Sequence, residues 1–277
     1  MKLSFSLKCF AYSALMLCGS AHAAISCSVA SNGFTASYSP AAPAKNITTA
    51  SFTMSCTRGL NTDATSQSYT VKADNGLYPS GVNNQAASGA NRIRYDLFTD
   101  SACGTQWKGG TTLGGTITFS SSSDFFTRSQ TVPFYGCIAA GLNPPAGIYT
   151  DTVTMLPSIG VNATFGVTIV TPASCSISTP PGNITFNYAS FQAGPALAST
   201  SFATTCSTNL PYTMALDATS GTLLGLNYTL SLSASSATGT GAAQTYSIDG
   251  TLASGQAGTC STSACAGSAG RTLTITY

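Results

Sequence analysis

Glutamate is absent from the 277 residues, histidine occurs once (His22), and charged side chains make up only 6% of the chain. Nucleophilic and general acid–base catalysis lean on histidine and on paired carboxylates. Here eight aspartates carry all the acidic charge, and none sits in a recognisable pair. Metal binding is as poorly served, because no Cys-x2-Cys knuckle is present. No Gly-rich phosphate loop occurs either. A formal net charge of +2 gives no electrostatic reason to hold nucleic acid or anionic lipid. The composition therefore points away from an enzyme, a cofactor, a metal centre or a nucleic-acid partner.

Long apolar runs are also missing, with one exception at the start. Lys2 and Lys8 precede the run CFAYSALMLC, and Ala21-His22-Ala23 follows as a small-residue cleavage site. This pattern predicts a secretory signal peptide over 1–23 and a mature chain from about Ala24. Removing it takes away the only histidine, two of the ten basic residues, and Cys9 and Cys18 of the ten cysteines. Eight cysteines then remain in an exported chain, and an even count there implies disulfides.

What is abundant is Ser, Thr, Ala, Gly, Val and Tyr, arranged as a repeat. SCSVASNGFTASYSP from Ser26 is echoed by SCSISTPPGNITFNYAS from Ser174. The alternating stretches 68–76 and 92–100 are echoed by 211–221 and 226–234, and 148–156 by RTLTITY at 271–277. Alternation with period two marks half-buried strands. The fold expected is all-β: two tandem immunoglobulin-like β-sandwich domains over 24–156 and 172–277. The repeat favours the bridges Cys27–Cys56, Cys103–Cys137, Cys175–Cys206 and Cys260–Cys265, although spacing alone leaves other pairings open.

One segment has no second copy. In 157–171, Phe165, Val167 and Ile169 alternate with Gly166, Thr168 and Val170, which predicts a linker carrying a strand that completes domain 1 from within the chain. If both copies share one plan, domain 2 is incomplete. Its last strand, with Leu273, Ile275 and Tyr277, is then expected to form an acceptor edge for a donor strand from another chain. Only Ala24, Ile25 and Ser26 precede Cys27 in the expected mature chain, which suggests a subunit that accepts a strand but donates none and so occupies the tip of a linear polymer.

The Ser-Cys-Ser opening, RIRYDLFTD (92–100), YDLFTDSACGTQW (95–107), VPFYGCI (132–138) and GIYTDTVTM (147–155) resemble the Spore Coat Protein U domain family. Domain 2 resembles it more loosely, lacking a clear GxYxDxxxV ending. The resemblance implies subunits of archaic chaperone-usher pili, fibres of attachment and biofilm formation. It further implies a periplasmic pilus chaperone, an outer-membrane usher and an adjacent pilin subunit as partners, with no cofactor. Passage through the periplasm to the pilus tip and contact with an abiotic or host surface would follow. The N-terminal domain would be the adhesin. A structural spore-coat-like or pilus-shaft protein without an adhesive role is the alternative.

With strands at 68–74, 92–99, 114–120, 130–138, 148–156 and 163–170 alternating in direction, loops 100–113 and 139–147 should lie next to domain 2. Loops 75–91, 121–129 and 157–162 should lie at the far end. These distal loops present Leu77, Tyr78, Val82, Phe125, Phe126, Pro157, Ile159 and Val161 as candidate surface-binding residues, with Leu156 at the strand edge. Trp107, the only tryptophan, is expected in core or interdomain packing. Arg92, Arg94 and Lys108 read as solvated strand-face charges.

Overall fold

The computed structural model describes residues 25–40, 42–120 and 123–277. The signal peptide expected over 1–23 lies outside the described residues. Eighteen strands and no helix are present among those described. In domain 1 these are β1 (Ser26–Ser31), β2 (Phe34–Ser37), β3 (Asn46–Arg58), β4 (Ser66–Ala73), β5 (Asn84–Ser88), β6 (Asn91–Phe98), β7 (Leu113–Thr118), β8 (Phe126–Ile138), β9 (Gly147–Pro157) and β10 (Ala163–Thr171). Domain 2 holds β11 (Cys175–Thr179), β12 (Ala196–Cys206), β13 (Pro211–Leu216), β14 (Ser220–Leu223), β15 (Leu226–Leu232), β16 (Ser236–Thr238), β17 (Ala243–Leu252) and β18 (Leu273–Thr276).

Domain 1 has one layer in the order β1-β3-β8-β6-β5 and another in the order β7-β4-β9-β10-β2, joined where Ala87 of β5 meets Thr150 of β9. From Phe52 to Thr57 the inward residues of β3 are Phe52, Met54 and Cys56, and the outward residues are Thr53, Ser55 and Thr57. Across to β8, the outward hydroxyls pair as Thr53–Thr131 (3.1 Å), Ser55–Ser129 (2.7 Å) and Thr57–Thr127 (2.7 Å). This split of apolar-in and hydroxyl-out is what a sequence rich in Thr and Ser but poor in charge can build.

The core of domain 1 is an aromatic series. Trp107 is fully buried, stacks on Phe52 at 5.5 Å and leans on Phe134 at 5.0 Å, and Phe134 in turn lies 5.2 Å from Phe165 of β10. The indole N–H of Trp107 donates to the Val71 carbonyl at 2.9 Å, so its one polar group is satisfied inside the core. Among the described residues the disulfides are Cys27–Cys56, Cys103–Cys137, Cys175–Cys206 and Cys260–Cys265.

Domain 2 repeats the plan with fewer strands. Its layers are β11-β12-β17-β15-β14 and β16-β13-β18. Hydrogen bonds fix the correspondence between copies. Asp74 accepts from the Thr154 N–H and donates its own N–H to the Thr154 carbonyl, and Asp217 does the same with Thr272. β13 therefore matches β4, and β18 matches the end of β9.

Lys108 is not a solvated charge. Its ammonium lies 3.2 Å from the Asp96 carboxylate, which also holds Arg94 at 3.2 Å. The 100–112 loop folds back over the sheet to bury Trp107, and that carries the neighbouring lysine inward. Arg92 stacks over the Tyr78 ring at 4.7 Å.

Asp151 of β9 is buried and accepts three hydrogen bonds: from the Leu77 N–H (2.8 Å), its neighbour Thr152 N–H (2.8 Å) and the Tyr95 hydroxyl (2.7 Å). Burial pushes its carboxyl above the usual aspartate range, against the lowering effect of those donors. The Tyr95 phenol is pushed up by burial and then by the carboxylate beside it. A raised carboxyl binds its proton more tightly in the folded state, so folding stability rises as pH falls toward the ordinary aspartate value. We expect the stability of the natural chain minus that of Asp151→Asn to grow between pH 7 and about pH 4, measured by thermal unfolding at each pH. A difference that shrinks over that range would contradict this reading.

Candidate functional site

The two domains differ along one flank. In domain 1, β10 lies between β9 and β2. It is antiparallel to β9 from Ala163↔Met155 to Thr171↔Gly147 and parallel to β2 from Val167↔Phe34 to Val170↔Ser37. Phe165, Val167 and Ile169 all point into the core and are buried. Domain 2 has both walls of the same slot. β18 matches β9, and residues 183–188 match β2.

The second match rests on a tyrosine. The Tyr38 hydroxyl after β2 accepts from the Leu142 N–H at 2.8 Å, and the Tyr188 hydroxyl accepts from the Gln256 N–H at 2.8 Å. Counting back from the tyrosines sets Ile184 at the place of Phe34, and Ile184 together with Phe186 faces Gly250, the counterpart of the Gly136 that Phe34 covers. Yet 183–188 forms no strand, and β18 pairs with β13 alone among the described residues. NITFNY has the alternation of a strand, but a strand needs a ladder partner, and nothing described fills the slot.

Burial follows from this. Phe202, Cys206, Tyr212, Met214 and Ile248 are the buried members of the domain 2 core, while Ile184, Leu230, Leu232, Tyr246, Leu273 and Ile275 pack against it only half-buried. Leu273 and Ile275 thus sit on the edge strand with inward side chains. Tyr277 lies just past β18 and is exposed, lining a cavity of about 500 Å³ with Pro211, Tyr212 and Ala237. It belongs neither to the strand nor to the core.

At the other end of domain 1, register places two loops together. Phe126 starts β8 opposite Arg58, the Phe125 N–H donates to the Gly59 carbonyl at 3.0 Å, and the 157–162 turn brings Gly160 against the Cys27 backbone. Phe125 is 77% exposed and Val161 73% exposed. Phe125 has a φ of 53°, a left-handed conformation uncommon for a bulky side chain. Phe126 is half-buried, with Arg128 over its ring at 4.9 Å. Pro157 and Ile159 are half-buried, Ile159 packing against the core. Leu60, which the sequence reading missed, is exposed in the turn beside Phe125. Its signal was a lone apolar residue in the polar turn RGLNTD.

Leu77, Tyr78 and Val82 are exposed but do not join this end, which corrects the grouping expected from strand alternation. The chain after β4 turns back alongside β9, where Asp151 grips the Leu77 N–H. Gly76, at φ +71°, allows this, since a Cβ there would lie 2.0 Å from the Asp151 carboxylate. Val71 pairs with Pro157, so Leu77 lies about six residues lower along β9, roughly 20 Å from that end.

Among the described residues no group of three or more His, Cys, Asp or Glu side chains could hold a metal ion. No described helix is long and apolar enough to cross a membrane.

Fold and site define a class: a disulfide-bonded pair of β-sandwich domains, one closed by its own last strand and one with no described strand along the matching flank. The chain belongs to the Spore Coat Protein U domain family, whose model matches residues 13–156 and again 161–264. No curated protein matches the sequence. Among solved structures the chain is similar to the CsuC–CsuE chaperone–tip adhesion subunit pre-assembly complex from archaic chaperone-usher Csu pili of Acinetobacter baumannii. The identity is 17%, with 91% of this chain and 99% of that one covered, at a TM-score of 0.42. It is also similar to the CupB6 tip adhesin from Pseudomonas aeruginosa, at 10% identity, 91% and 95% coverage and a TM-score of 0.40.

Proposed function

We propose that this chain is an exported tip subunit of a chaperone-usher pilus, with no catalytic role. Domain 2 takes a strand first from a periplasmic pilus chaperone. At the outer-membrane usher it exchanges that strand for one from the adjacent pilin subunit. Domain 1, already filled by β10, carries Phe125, Val161 and Leu60 to a surface and so supports attachment and biofilm formation at the cell surface. The observation behind this reading is the contrast between β10 seated in domain 1 and the matching slot between β18 and 183–188, which no described residue fills.

An unpaired edge over a half-buried core is an aggregation hazard, so the chain should need a partner to stay soluble. Produced in a bacterial periplasm, it should accumulate as an equimolar complex with its pilus chaperone and be degraded or aggregate without it. Soluble monomer in full yield without the chaperone would overturn the proposal.

The apolar end has its own test. Phe125→Ser with Val161→Ser changes exposed side chains, so stability should move by no more than about 0.5 kcal/mol. Assembly into pili should persist while attachment of piliated cells to a hydrophobic surface falls severalfold. Unchanged attachment would remove the adhesive role from these loops.

A further inference from the structure

Arg271 stands on the open flank of domain 2 and has no equivalent in domain 1. The matched pair Thr154 and Thr272 sets the register, so Arg271 corresponds to Val153, a fully buried inward residue of β9 that pairs with Phe165 of β10. The other copy thus places a cation where domain 1 has a valine facing its last strand. Arg271 reaches across to the opposite layer, where its guanidinium donates to the Tyr228 hydroxyl and, at 3.3 Å, to the Ser220 carbonyl. It lies 5.4 Å from the Tyr228 ring centre.

Matched changes make room for this arrangement. Tyr228 corresponds to Tyr95, whose hydroxyl donates to Asp151, and Ala269 stands at the position of Asp151. Gly221 pairs with Tyr228 where Asn84 pairs with Tyr95. A Cβ at Gly221 would lie 2.4 Å from the guanidinium and 2.5 Å from the Tyr228 hydroxyl. The slot has therefore exchanged a carboxylate for a positioned cation, and no carboxylate lies within 4 Å of it among the described residues.

A strand seated between β18 and 183–188 would cover Arg271. Burying a cation without a counter-charge is strongly unfavourable, while a charge-assisted pair offsets the loss of water. We propose that the strand accepted by domain 2 carries an aspartate or glutamate at the position facing Arg271, with apolar residues at the alternate positions on either side. This inference rests on the strand-acceptor reading and adds the chemistry of the partner: an acidic residue inside an otherwise apolar strand.

The test uses the full chain and synthetic peptides of residues 161–171, with Phe165 kept, or changed to Glu, Gln or Lys. Register sets residue 165 of the bound peptide opposite Arg271. The Phe165→Glu peptide should bind at least tenfold more tightly than the Phe165→Gln peptide, roughly the worth of one hydrogen-bonded charge. The preference should disappear in Arg271→Met. In Arg271→Glu it should turn toward a Phe165→Lys peptide, a gain that a misfolded variant could not give. Equal binding of the Glu and Gln peptides, or tightest binding by the natural Phe165 peptide, would overturn the acidic-strand proposal and leave strand acceptance standing. Binding of none of the peptides would overturn both.

Discussion

Fusing a copy of residues 160–171 directly after Tyr277 should raise the unfolding temperature of domain 2 by more than about 10 °C and leave that of domain 1 unchanged. Because β18 matches β9 in register, Tyr277 stands where Ile159 stands in domain 1. The added segment therefore reproduces the turn and strand that close the first sandwich. Phe165, Val167 and Ile169 are each worth about 1.5–3 kcal/mol when buried, and the new ladder would order 183–188 as well. Part of this gain is offset by fixing the strand's backbone. In a domain of this size each remaining kcal/mol shifts the midpoint by about 4–8 °C. Calorimetry with two resolved transitions reads the outcome, and the fused chain should no longer need a chaperone for solubility. An unchanged upper and lower transition would mean that the open flank of domain 2 is not a strand site.

Phe165→Ala should do the reverse to domain 1. The ring is buried and lies 5.2 Å from Phe134, at the end of the series that runs through Trp107 to Phe52. Truncating such a residue costs about 3–5 kcal/mol through lost transfer energy and the cavity left behind. The domain 1 transition should fall by roughly 10 °C, at about 2–4 °C per kcal/mol for a domain of this length, with domain 2 unaffected. Thr164→Ala, one residue away on the exposed face, should change little. If the two substitutions have equal effects, β10 is a tether rather than part of the core.

The duplicated plan was legible because the residues that organise each copy recur: the Ser-Cys-Ser opening, Tyr69 and Tyr212, Asp74 and Asp217. Alternation alone exposed β10, since three large apolar residues are unusual for a linker. Other features were beyond local pattern. β5, NQAAS, has no large apolar residue, and it is a strand because β6 and β9 flank it. NITFNY alternates like β2 yet forms no strand, because its partner is missing from the described residues. The Lys108–Asp96 pair and the retreat of Leu77 from the distal end both depend on residues distant in sequence. Arg271 was invisible until the two copies were set in register, for its meaning lies in Val153, the residue it replaces.

The most direct measurement is amide hydrogen exchange on the full chain, alone and with the Phe165→Glu peptide of residues 161–171. Alone, amides of 183–188 and those on the outer edge of β18 should exchange as freely as loops while β2 and β9 stay protected. With the peptide bound, both segments of domain 2 should become protected together. If 183–188 and β18 are already as protected as β2 and β9 in the free chain, domain 2 is complete by itself and the account fails.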